Sequence, residues 1–268
     1  MGKRTKFGKC HLCSADGPLS FEHVPPKAAF NDRPVVRSAM EDFLAAGDSP
    51  EALDEITGGV KEQRGLGAYT LCRKCNNDTG AWYGNAYVQW AYQGLRIANY
   101  AQTAPSLVHT FNIFPLRIIK MIICMFFSAN HDEWSNAWPE LVKFVLNKDQ
   151  KHINPKIRVY AYFTLSPRSR QSALVGSFST GAGGAFSFFS EISFPPWGYV
   201  LTVDSAPPDK RLVDISEFAR YSYNDWKPIN LRFSLLPIYS RFPGDFRTRD
   251  EVHEQIRRNQ EKYPAGKR

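Results

Sequence analysis

The chain has 268 residues, 43% hydrophobic and 14% aromatic, which is enough apolar material to bury a core without disulfide staples and too much for a disordered chain. A formal charge of +8 and a pI of about 9.2 favour an anionic partner such as a phosphate backbone, although basic character alone does not establish one. The most apolar stretch, 111–127, is interrupted by Pro115, Arg117 and Lys120 and falls short of the roughly 20 residues a bilayer span needs. The first residues carry charge with no apolar run behind them, so no secretory signal is expected and the cytoplasm is the default setting.

Residues 1–9 read as a basic arm, mobile until it meets a partner, leading into a first knuckle, Cys10-His11-Leu12-Cys13. After the turn signal at 15–18, residues 19–24 read as a strand that stops at Pro25-Pro26, because proline cannot continue a ladder, and this places His23 at a strand end. The stretch 27–66 looks like an insertion with little strand character. Within it, Ser49-Pro50-Glu51 signals a helix start and Gly58-Gly59 its end. A loop rich in glycine and basic residues follows at 61–67, and then a short extended entry, 68–71, into a second knuckle, Cys72-Arg73-Lys74-Cys75. Beyond it lie several capping residues and a helix to about residue 98, crowded by Trp82, Tyr83, Tyr87, Trp90 and Tyr92; spacing of this kind assigns them to core packing rather than to base stacking.

Thr103-Ala104-Pro105 marks a boundary, so the chain divides into 1–104 and 105–268. Two helices are expected over 115–147, broken around Asn130-His131-Asp132. The first is apolar nearly all round and reads as a buried spine containing Cys124 as a structural thiol. From Lys156 the apolar period changes to two. Short extended runs at 157–165, 172–179, 185–193, 199–203 and 231–236 suggest an antiparallel sheet, and a charged helical tail follows over 250–262. The class is α+β.

The two C-x-x-C knuckles match the ligand count and spacing of a tetrahedral structural zinc site formed by Cys10, Cys13, Cys72 and Cys75, as expected in a reducing compartment rather than in a secreted disulfide framework. His11, inside a knuckle, is taken as exposed. Such a zinc ribbon serves many binding modules that catalyse nothing. Two further features are not needed to bind zinc: the pair Glu22-His23 before the two prolines, and Asn76 directly after the last cysteine.

In these residues the chain resembles the HNH endonucleases, also called His-Me finger or ββα-metal nucleases, in the branch that carries a structural zinc, such as the endonuclease VII type resolvases. That family's first motif is an acid followed by His, with Pro three positions after the His, and Glu22-His23-Val24-Pro25-Pro26 fits it; its second is Asn after the second C-x-x-C, and Cys72-Arg73-Lys74-Cys75-Asn76 fits that. The resemblance covers roughly 8–98. It implies a ββα-metal core in which the four cysteines hold zinc, His23 is the general base, and Glu22 and Asn76 bind one catalytic Mg2+ or Mn2+. The implied substrate is a phosphodiester of DNA, and the implied setting is phage defence or a mobile element. The chain departs from the pattern in having Glu where Asp is commoner and no third His, with Asn76 or Asn77 in the later positions and Asp78 or Thr79 left to complete the metal shell.

Alternative readings stay open at this level. His23 could be a hydrogen-bonded structural histidine, Asn76 a helix N-cap and Glu22 a solvated strand residue. Lys27, Arg64, Arg73 and Lys74 are candidates for phosphate contacts or simply a solvated face, and Thr180-Gly181-Ala182-Gly183-Gly184 reads as a hairpin turn rather than a phosphate loop. A zinc-stabilised nucleic-acid- or protein-binding module without activity, RNA as the substrate, and a protein partner or homodimer through the C-terminal region all fit the sequence.

Overall fold

The computed structural model describes residues 6–39, 59–98, 100, 106–166, 168–178, 186–236 and 238–262. The anticipated helix start at Ser49-Pro50-Glu51, the boundary at 103–105 and the glycine run at 180–184 lie outside them.

In the front half, β1 (Lys6–Lys9), β2 (Asp16–His23) and β5 (Gly67–Cys72) form an antiparallel sheet in the order β1-β2-β5, while β3 (Val35–Arg37) and β4 (Val60–Glu62) pair separately. Lys6–Lys9 is thus strand rather than mobile arm: Phe7 faces Pro18 and Gly8 faces Gly17. The cause lies in the knuckle itself. Cys10 N donates to Ala15 O and Cys10 O accepts from Ser14 N, each at 2.9 Å, so the metal-type turn reverses the chain and lays the lysines along a sheet edge, a position where lysine discourages further pairing. From β5 the chain enters helix α1 (Arg73–Thr79), a π turn (Gly80–Gly84) and helix α2 (Asn85–Ala98) without a break. Tyr83, Tyr87 and Trp90 fall on one face and are buried, whereas Tyr92 on the opposite face is exposed.

The back half begins with a strand absent from the sequence reading, β6 (Ser106–Ile113), followed by α3 (Pro115–Ala129), α4 (Trp134–Ala137) and α5 (Pro139–Leu146). Helix α3 is the anticipated spine. Its residues from Ile118 to Ser128 are buried, and it touches α2, α5, β5 and strands of the back sheet. That sheet runs β11-β7-β10-β9-β8, all antiparallel, from β7 (Ile157–Phe163), β8 (Arg170–Phe178), β9 (Phe186–Phe194), β10 (Trp197–Val203) and β11 (Val213–Asp214). Strand β12 (Lys227–Ser234) pairs with β6, and α6 (Arg249–Lys262) closes the described chain.

A hydrophobic cluster of buried residues extends from Cys10 to Phe233. At its centre Trp90 stacks on Trp197 at 4.2 Å between ring centroids and 10° between planes, and the two indoles donate in opposite directions, Trp90 Nε1 to Tyr199 Oη and Trp197 Nε1 to Trp90 O. Gly94 is needed beside this stack, because a Cβ there would lie 2.5 Å from Trp197 Nε1. On the far side of β8 and β9, Arg170 and Glu191 form a buried ion pair at 2.6 Å, with Tyr162 Oη also donating to Glu191 at 2.6 Å.

Candidate active site beside a four-cysteine centre

Cys10 and Cys13 flank the β1–β2 turn, and Cys72 and Cys75 flank the start of α1. Strand pairing between β2 and β5 brings the knuckles together, so that the four sulfurs lie within 4.8 Å of one another, with Cys13 and Cys72 at 3.9 Å. A tetrahedral zinc with Zn–S bonds of about 2.3 Å would hold its sulfurs about 3.8 Å apart. The group therefore could hold zinc with little adjustment. Cys72 is also the N-cap of α1, its sulfur accepting from Cys75 N at 3.5 Å, while Cys72 N donates to Cys10 Sγ at 3.2 Å. A hydrogen bond from Cys75 pulls the Cys10 thiol down to about 4, and the same contact pushes Cys75 up, so the sulfurs share protons in the way a divalent cation would relieve. His11 is not a fifth member and is not fully exposed: it is half-buried, with Nδ1 at 3.3 Å from Phe127 O of α3, and that contact makes Nδ1 the protonated nitrogen.

His23 sits at the end of β2, opposite Gly67 of β5. Its Nε2 lies 2.9 Å from the carbonyl oxygen of Arg64. A carbonyl can only accept, so Nε2 carries the proton and Nδ1 keeps its lone pair. Desolvation, with smaller contributions from the charges of Arg64 and Lys27, lowers the imidazole pKa against the opposing pull of the Arg64 carbonyl, which leaves the ring neutral near pH 7. The two loops that meet here are tied by Asn31, which sequence reasoning missed. Its amide nitrogen donates to Pro25 O and Leu66 O and its oxygen accepts from Leu66 N, all at 2.7 Å. Gly65, with φ +86°, is held so close that a Cβ would lie 2.4 Å from Asn31 O. The only sequence cue was an Asn near a proline pair, which is too common to single out.

Glu22 points to the other face of the strand. It is 5% exposed, and burial pushes its carboxyl pKa up to about 8, with no hydrogen bond among the described residues to offset the desolvation. The charge of Glu22 is felt by Cys124 of α3, whose thiol is pushed up chiefly by burial and also by that carboxylate. A solvated strand residue is therefore excluded. Asn76, on α1, donates from Nδ2 to Ser20 Oγ and to Phe21 O, both at 3.1 Å, at the β-bulge of β2 and one residue before Glu22. The N-cap of α1 being Cys72, Asn76 is not the cap, and its Oδ1 is the group left over once the amide nitrogen is committed to β2.

The other candidates divide. Arg64 and Lys27 gather at His23; the Arg64 guanidinium lies 4.3 Å over the Phe21 ring and donates to Tyr69 Oη at 3.0 Å. Arg73 and Lys74 lie on the exposed face of α1, where Lys74 is paired with Asp78 at 2.6 Å. Asp78 is thereby engaged on the surface, and Thr79 Oγ1 is engaged within the helix, donating to Cys75 O at 2.9 Å.

Compared with protein-family models, with curated proteins and with solved structures, the chain has no significant match.

Proposed function

We propose that the protein is a metal-dependent endonuclease of the HNH type, hydrolysing phosphodiester bonds in DNA, with β2, β5 and α1 as its ββα-metal core. The observation that carries this reading is the pinning of His23 by the Arg64 carbonyl, which leaves Nδ1 of a neutral imidazole as the only ring atom able to take a proton. The buried carboxylate of Glu22 supports it. A carboxylate desolvated without a hydrogen-bond donor needs a proton or a cation, and although Glu22 lies on the face of β2 opposite His23, it and the Asn76 amide oxygen would supply the hard oxygen donors that suit Mg2+ or Mn2+.

In this reading His23 Nδ1 draws a proton from water as the oxygen attacks phosphorus, while the Arg64 carbonyl and the Phe21 ring hold the imidazole plane. Glu22 and Asn76 would hold the cation, which when bound polarises the phosphate and steadies the departing oxygen. Arg64 and Lys27 flank the base and meet the substrate's charge. The cysteines take no part in the reaction. Their role is to fix β2 against α1, so that residues far apart in sequence share one seam.

Purified protein given Mg2+ should nick supercoiled plasmid, and His23→Ala should lower the rate by about 100-fold or more, the usual worth of a general base, with zinc content and melting temperature kept. Nicking that survives the substitution would refute the assignment of His23. DNA binding by the wild type with no metal-dependent nicking would favour a zinc-stabilised binding module instead.

A further inference from the structure

Side chains alternate along a strand, so the face of β2 from which Glu22 turns away carries Phe21 and His23. Tyr69 of β5 stands opposite Phe21, their rings meeting edge to face at 5.4 Å, and Phe21 meets the His23 ring in the same manner at 4.9 Å. Three cations gather on this row of rings. The Lys6 ammonium of β1 lies 4.9 Å from the centre of the Tyr69 ring. The Arg64 guanidinium lies 4.3 Å from the centre of Phe21 and donates from Nη1 to Tyr69 Oη at 3.0 Å. Lys27, beyond the strand end, acts on the imidazole through its charge. All three cations are exposed, and among the described residues none of them makes an ion pair.

A ring that stacks on a base has to offer its face to solvent. Here the rings of Phe21 and Tyr69 are half-buried and their faces are turned to cations. The rings therefore act as a bed that fixes where the cations stand. A guanidinium laid on an aromatic face keeps its edge for hydrogen bonding, and of the five N–H groups of Arg64 the side-chain bond to Tyr69 commits one. The result is a line of positive charge, Lys6, Arg64 and Lys27, with the candidate base inside it.

We propose that this face is the track along which a nucleic-acid backbone enters the site: Lys6 and Arg64 take phosphates on one side of the phosphate that is cut, Lys27 takes one beyond it, and the face reads no base. The proposal rests on the endonuclease reading for the position of the cut. It deepens that reading by naming what is recognised, the phosphodiester chain and not its sequence, because phosphate contacts set register without carrying sequence information. Tyr69 is a positioning residue in this scheme, acting through Arg64 by its hydroxyl. The chemistry is shared by DNA and RNA.

The test uses the full chain with its zinc, in the His23→Ala background so that the probe stays whole. Binding is followed against salt by fluorescence anisotropy on two DNA duplexes of unrelated sequence and on an RNA duplex, each of about 20 base pairs, roughly two helical turns. Lys6→Gln/Arg64→Gln removes two charges and keeps the Arg64 carbonyl that holds the ring at position 23 in the wild type. It should weaken both DNA sequences alike, about tenfold at low salt and at unchanged melting temperature, and lower the salt slope by about 1.8, two phosphates at roughly 0.9 each. Tyr69→Phe keeps the ring and removes the Arg64 acceptor, and it should weaken binding about threefold with little change of slope. A ring that stacked on a base would tolerate that change, so parental affinity in Tyr69→Phe would overturn the positioning role. The polymer that the parent binds more tightly, DNA or RNA, is the one that follows the track, and the slope should fall on that polymer. A parent that binds neither duplex, a double variant with the parental slope, a loss confined to one sequence, or equal affinity for a poly-glutamate chain would each overturn the proposal. With His23 present, Lys6→Gln should raise KM for nicking more than it lowers kcat. If the duplex binds as expected but the His23 protein never cuts, the endonuclease reading falls and the track stands; if cutting is intact and the double variant binds as the parent does, the track falls alone.

Discussion

Glu22→Gln separates what the acid does for stability from what it does for chemistry. In the folded chain without a divalent cation the Glu22 carboxyl titrates at about 8 instead of 4.5, because burial penalises its charged form. The folded pKa is the higher of the two, so the protonated acid contributes stability that is fully present below 4.5 and is lost as pH rises through 8. At about 1.4 kcal/mol per pH unit, the wild type should lose about 3 kcal/mol relative to Glu22→Gln between pH 5 and pH 8. Comparing the two proteins across pH cancels any fixed cost of hosting the amide. The assay is urea unfolding followed by tryptophan fluorescence, with zinc retained and Mg2+ withheld. Adding Mg2+ at pH 7 should then raise the wild-type midpoint and leave that of the variant in place, since binding requires the carboxyl to give up its proton. A stability difference that does not vary with pH, or a wild type that gains on the variant as pH rises, would refute the picture of an uncompensated buried carboxylate.

The protein should carry one zinc per chain by elemental analysis, and Cys72→Ala should lose it together with helical signal in circular dichroism, because that sulfur is both a candidate ligand and the cap of α1. Retention of the metal by that variant would remove Cys72 from the ligand set. Arg170→Ala leaves Glu191 buried without its cation and should cost about 3–5 kcal/mol in chemical denaturation. Gly94→Ala should destabilise by about 1–3 kcal/mol through collision with Trp197, which thermal unfolding would register as a lowered midpoint.

Much of the frame was readable because it rests on short-range rules. A proline pair ends β2 where it must, a period of two gives β7, and an apolar helix with no polar face has to be buried, as α3 is. The aromatic stripe was likewise assigned to the core, and Tyr83, Tyr87 and Trp90 are there. What escaped depends on partners distant in sequence. Alternation along Phe21-Glu22-His23 suggests the ring inside and the acid outside, but the face of β2 that packs toward α3 is the one carrying Glu22, while Phe21 is covered by the guanidinium of Arg64. Strand β6 was missed because its burial alternates poorly, being partly exposed through Thr110, and its existence depends on β12 more than a hundred residues later. The pairing of Arg170 with Glu191 follows from strand register, which no local pattern announces.

The sulfur that starts α1 has a consequence for the conditions under which the site can exist. A helix that begins on a hydroxyl or carboxylate is indifferent to oxidants, but this one begins on Cys72, whose sulfur lies 3.9 Å from that of Cys13. An oxidant that joined those two as a disulfide would take two of the four sulfurs from any metal they hold and withdraw the acceptor from the first turn of α1, both in one event. On the endonuclease reading, thiol chemistry would then switch the site off without any change to His23 or Glu22, and a reductant with zinc would restore it.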